Sequence, residues 1–67
     1  MYKIGTLLFD DIDNEFGVIT GYTEIVTQPT RVYIIDWQES GTATMAQFQF
    51  NDWLDKKRLE VCDTPGV

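Results

Sequence analysis

Six consecutive residues, Asp10-Asp11-Ile12-Asp13-Asn14-Glu15, carry four carboxylates and one carboxamide. Oxygen donors at alternating positions are the ligand set that Ca²⁺ or Mg²⁺ takes. A calcium loop opening at Asp11 would place Asp13 and Glu15 at its third and fifth positions. It would then require glycine at residue 16 and a bidentate glutamate at residue 22. Those positions hold Phe16 and Tyr22, so the pattern fails twice. The run reads as a solvated acidic loop, with no metal and no cofactor expected.

Catalytic groups are scarce. The chain has no histidine, one serine (Ser40) and one cysteine (Cys62). A Ser-His-Asp triad, a Cys-His pair and imidazole metal ligands are therefore excluded. Ser40 falls in a turn with no base beside it but carboxylate or lysine. Cys62 falls on the alternation of a terminal strand, where a buried, inert thiol is expected. A 67-residue β domain offers little concave pocket for a carboxylate pair to work in, and the sequence is read as non-enzymatic.

The charge balance narrows the partners. Eleven acids against five bases give a net charge of −6, which repels phosphate backbones and anionic lipid and disfavours nucleic acid or membrane as a partner. Lys56-Lys57-Arg58 holds three of the five bases and is explained by a helix C-terminus. The longest apolar runs, at residues 7–9 and 32–35, are far too short to span a bilayer. With a single cysteine no internal disulfide can form. The opening residues lack a basic, then apolar leader pattern. A cytosolic compartment follows as the expectation.

These groups need a scaffold. Thr, Val and Ile supply 19 residues and aromatics nine more, a strand-forming composition. Turn signals at residues 10–14, 28–30, 39–41 and 51–52 divide the chain into strand-length pieces. Strands are expected at residues 6–10, 16–26, 31–38, 42–50 and 58–62. Gly21 inside the second marks a bulge or sharp bend. The third carries Tyr33, Ile35 and Trp37 on one face and Val32, Ile34 and Asp36 on the other, so it belongs at the centre of a sheet. In the fourth, Thr44, Ala46, Phe48 and Phe50 share one face. Residues 51–57 read as one helical turn, capped by Asn51 or Asp52 and held to the sheet by Trp53 and Leu54. Residues 1–63 form one all-β domain of five strands with a helical turn before the last, and 64–67 form a frayed tail. At this size only about 60% of the chain's surface can be buried.

Gly5-x-Leu7, Gly17-Val18-Ile19, Tyr33-x-Ile35-x-Trp37 with Gly41 in the next turn, residues 50–54 and Leu59-Glu60-Val61 together resemble the small SH3-like β-barrels of tailed bacteriophages, including those of cyanobacteria. The likeness covers residues 4–62. The chain departs from the pattern in its acidic loop and in Glu39-Ser40-Gly41, where Asp-Gly is more usual. The resemblance implies a five-stranded SH3-like barrel and a small phage accessory protein without a defined activity. In such a barrel the acidic loop joins the first two strands, and some eukaryotic members meet basic side chains there beside an aromatic groove.

Partner contact is accordingly expected at two places. Asp10, Asp11, Asp13 and Glu15 would steer a basic protein partner, and an aromatic rim of Trp37, Phe48 and Trp53 would supply anchor area. The partner would be a host protein or a phage structural protein, with a homodimer through the rim as another occupant. The alternative function is an acidic, DNA-mimicking inhibitor of a host nucleic-acid-binding enzyme.

Overall fold

A computed structural model describes residues 2–24 and 31–65. Strands β1 (Leu7–Asp10), β2 (Glu15–Glu24), β3 (Arg31–Trp37) and β4 (Gly41–Ala46) precede helix α1 (Gln47–Asp55) and strand β5 (Leu59–Asp63). All strand pairings are antiparallel, in the order β4-β3-β2-β1-β5. The chain is a small all-β domain, and β3 lies between β2 and β4 as its two apolar faces require. Among the described residues β4 and β5 do not pair, so the ladder is not closed; α1 packs against both. Residues 25–26, expected at the end of the second strand, lie outside the described residues.

Alternation sets the core. Leu8 of β1, Ile19 of β2, Tyr33, Ile35 and Trp37 of β3, Met45 of β4 and Leu59 of β5 are buried on one side of the sheet. Phe50 closes that cluster from α1, with its ring centroid 4.5 Å from that of Tyr33. The second strand bends where expected: the β2–β3 register slips between Ile19 and Gly21, leaving Thr20 as the extra residue of a bulge.

Two hairpin connections frame the site. Between β1 and β2, Asn14 takes a left-handed φ of 53°, a conformation Asn tolerates better than most residues. Between β3 and β4, Gly41 does so at φ 81°, pairing with Trp37 across a three-residue loop of the kind that wants glycine there.

The β4 to α1 junction corrects the sequence reading. The fourth strand stops at Ala46, and residues 47–50 begin a nine-residue helix rather than finishing a strand. Neither Asn51 nor Asp52 caps it; the N-cap is Ala46, which makes no side-chain capping bond. Helical geometry turns Phe50 inward and Phe48 outward, so these two do not share a face: Phe50 is fully buried and Phe48 is 70% exposed. Cys62 is likewise exposed. It lies where the β1–β5 register slips, Leu8 pairing with Val61 and Leu7 with Asp63. In the tail segment, Pro65 is half-buried and lies against Gly5. No helix among the described residues is long and apolar enough to cross a membrane.

Candidate functional site

The end of β1, the start of β2, the β3–β4 turn and α1 enclose a groove of about 230 Å³. Asp10, Asp13, Glu15, Trp37 and Trp53 all line it, with Ala43, Met45 and Gln49 completing its far wall. Five of the seven residues singled out for partner contact therefore meet in one concavity.

Strand parity explains the placement of the acids. Asp10 shares its face with Leu8, and Glu15 shares its face with Gly17 and Ile19, so both point inward and are only 5% and 4% exposed. Asp10 Oδ1 accepts hydrogen bonds from the backbone N–H of Ile12 (2.8 Å) and of Asp13 (3.2 Å). That geometry organises the β1–β2 turn. Glu15 reaches across to the β3–β4 turn, where its Oε2 accepts from the N–H of Glu39 (3.3 Å) and Ser40 (3.2 Å). Its Oε1 accepts from Ser40 Oγ at 2.6 Å. Two buried carboxylates thus brace two neighbouring loops, while exposed Asp13 carries the third charge of the group.

Oxygen atoms of Asp10, Asp13 and Glu15 lie within 4.8 Å of one another. Glu15 spends both oxygens on the β3–β4 turn and Asp10 spends one on its own turn. What remains falls well short of the roughly six to eight oxygens calcium takes. The cluster is a concentrated negative charge in a partly walled site, where low dielectric strengthens its attraction for a cation.

Two of the selected residues lie elsewhere. Asp11 leaves the groove: its N–H donates to the Arg58 carbonyl at 2.9 Å, and its carboxylate is an acceptor for the Glu60 carboxyl when that group is protonated. The Glu60 carboxyl is raised above its usual range, first by that hydrogen bond and then by the Asp11 charge. Partial desolvation against the sheet edge pushes the Cys62 thiol up although the residue is exposed, with the charges of Glu60 and Asp11 adding to the effect. Phe48 projects from the outer side of α1 and does not line the groove, so of the three aromatic residues Trp37 and Trp53 meet there.

The two indoles differ in role. Trp37 is 7% exposed and forms groove floor. Trp53 is half-buried, and a cation already stands over its ring: Arg58 Cζ lies 4.4 Å from the centroid, a cation–π distance.

No family model, curated protein or solved structure matches this chain. The groove must be read from its own chemistry.

The sequence reading missed the inward turn of Asp10 and Glu15 and the part played by Ser40. The parity of Asp10 with Leu8, and of Glu15 with Ile19, was the signal that could have found the first. Nothing local announces Ser40, which meets Glu15 only through the fold.

Proposed function

We propose that this protein is a non-catalytic binding module that acts through protein–protein contact, its groove receiving a cationic side chain of a protein partner. The observation that carries the reading is the convergence of Asp10, Asp13 and Glu15 with Trp37 and Trp53 on one concavity. Asp13 and the second oxygen of Asp10 offer charge-assisted hydrogen bonds to guanidinium or ammonium groups, Glu15 adds charge, and the indole surface that Arg58 leaves uncovered offers apolar and cation–π contact to the same groups. Arginine fits both demands better than lysine, because its planar head stacks while it donates. The hydrogen bonds that tie Glu15 and one oxygen of Asp10 to backbone favour a fixed electrostatic surface over a proton-transferring pair.

The sheet order with a helix before the last strand supports an SH3-like barrel, open between β4 and β5, as the architecture behind this module. A small phage accessory protein is the setting that the sequence resemblance implies.

Titration with acetyl-arginine amide, with acetyl-citrulline amide as the neutral isostere, tests the reading by NMR. Arginine should shift the Trp53 indole N–H and the Asp13 amide, more strongly at low salt, and citrulline should leave them in place. Equal response to both compounds, or shifts spread evenly over the acidic surface, would refute it.

A further inference from the structure

The edge of β4, which no other described strand pairs, points to the form of the partner. In the strand order β4 and β5 are the two ends of the sheet, and among the described elements β4 touches only β3 and α1. Residues 41–44 are all exposed. An edge strand presents unpaired N–H and C=O groups, and proteins usually blunt such an edge with lysine, proline, inward charge or a bulge. The sequence of β4, Gly-Thr-Ala-Thr-Met-Ala, contains none of the charged or proline devices, and its pairing with β3 runs through six residues without a register slip.

This edge continues directly into the groove. Ala43 pairs with Ile35 and Met45 with Tyr33, which places both on the core-facing side, and both line the cavity with Asp13 and Trp53. A strand laid along β4 would lie about 4.8 Å away, with every second side chain on that same side. A residue opposite Ala43, which has only a methyl group, would enter the groove.

We propose that β4 accepts an extended segment of a partner protein as a sixth strand, the segment placing an arginine or lysine into the acidic groove beside Trp53. This rests on the groove reading and adds backbone pairing to it: the edge supplies affinity and the groove supplies side-chain selection. Charge argues for a basic foreign segment over a second copy. Two copies paired through β4 would bring two acidic grooves together in a chain of net charge −6, and β4 itself has no base to offset them.

The test uses the whole chain and a blocked hexapeptide, Val-Thr-Arg-Thr-Val-Thr, at millimolar concentration. Two control peptides carry either citrulline for arginine or N-methyl groups at alternate residues. Amide exchange and NMR shifts are read together. Strand addition should slow exchange of the amides in residues 41–44 that do not bond to β3, and should move the Trp53 indole N–H. N-methylation on the pairing side should weaken binding about tenfold or more. A Trp53 shift without β4 protection, and no effect of N-methylation, would overturn strand addition while leaving the groove reading intact. Protection of β4 with arginine and citrulline equivalent would overturn the groove reading and the basic selectivity together. Protection that grows with protein concentration and needs no peptide would assign the edge to a second copy, and no response to any peptide would overturn the proposal.

Discussion

The indole of Trp37 lies directly on the backbone of Gly17, its cross-strand partner. A Cβ built at Gly17 would press into Trp37 Cε3 and come within 2.7 Å of Cζ3. Glycine is thus what lets the floor of the groove sit flat on the sheet.

Gly17→Ala should therefore destabilise the domain by about 1–3 kcal/mol through overpacking and displace the indole. Urea unfolding followed by tryptophan fluorescence checks both effects. Because the clash is with one ring, Gly17→Ala should cost less in a Trp37→Leu background than in the parent, and purely additive losses would place the strain elsewhere.

Glu15→Ala should cost about 2–3 kcal/mol, since it leaves the Glu39 and Ser40 amides without their acceptor and opens a small void. Ser40→Ala removes one hydroxyl donor and should cost about 1–2 kcal/mol, less than a buried bond to a charged acceptor because Ser40 is exposed. The two losses should fall short of additive, because both variants delete the same 2.6 Å bond. Chemical unfolding of the two single variants and the double variant measures the coupling.

The pair Asp11 and Glu60 gives a pH dependence of definite sign. Glu60 is raised in the folded protein because its protonated form hydrogen-bonds Asp11 and because the Asp11 charge opposes its ionisation. A group raised on folding contributes stability that is fully present below its unfolded pKa and is lost as pH rises through the folded pKa. Glu60→Gln keeps a donor toward Asp11 and cannot ionise, so it should melt higher than the parent at neutral pH and converge with it in acid. Thermal melts from pH 3 to pH 8 test this, and a Gln variant that gains nothing at neutral pH would show that the pair is not strained. The same substitution removes one of the charges that hold the Cys62 thiol up, and iodoacetamide should then alkylate Cys62 faster at mildly alkaline pH.

How far the sequence discloses the fold depends on whether a pattern has a rival. In β3, Tyr33, Ile35 and Trp37 alternate with Val32, Ile34 and Asp36 and admit no helical reading, so the strand and its central place were legible. Around Phe50 two patterns overlap. Phe48 and Phe50 alternate as in a strand, while Phe50, Trp53 and Leu54 recur at helical spacing. Burial decides between them, and burial depends on the neighbours β3 and β5 bring in. The site divides in the same way. The inward turn of Asp10 and Glu15 follows from parity with Leu8 and Ile19. The removal of Asp11 to Glu60 depends on the pairing of β1 with β5 across some fifty residues of chain, which no local signal encodes.

That ambiguity at the β4 to α1 junction yields a direct experiment. A strand through residue 50 would give Phe48 and Phe50 the same surroundings and similar sensitivity. The helix makes them opposites. Phe50 is fully buried, with its centroid 4.5 Å from that of Tyr33 and 5.6 Å from that of Tyr2, and Phe50→Ala should cost about 3–5 kcal/mol. In so small a domain that loss approaches the whole stability, so Phe50→Leu serves as the milder variant and should still be destabilised. Phe48→Ala removes a ring that is 70% exposed and should change stability by about 0.5 kcal/mol or less. Gln47→Pro separates a helix from a strand end more sharply. Residue 47 is the first helical position of α1, where the backbone N–H has no helical partner, and Ala46 before it is already extended (φ −64°, ψ 149°) as a residue preceding proline should be. In a strand continuing the β3 ladder the same proline would delete pairing and disrupt the sheet. Circular dichroism and melting of Gln47→Pro should therefore show a folded protein close to the parent, and loss of the fold would count against the helix start at residue 47.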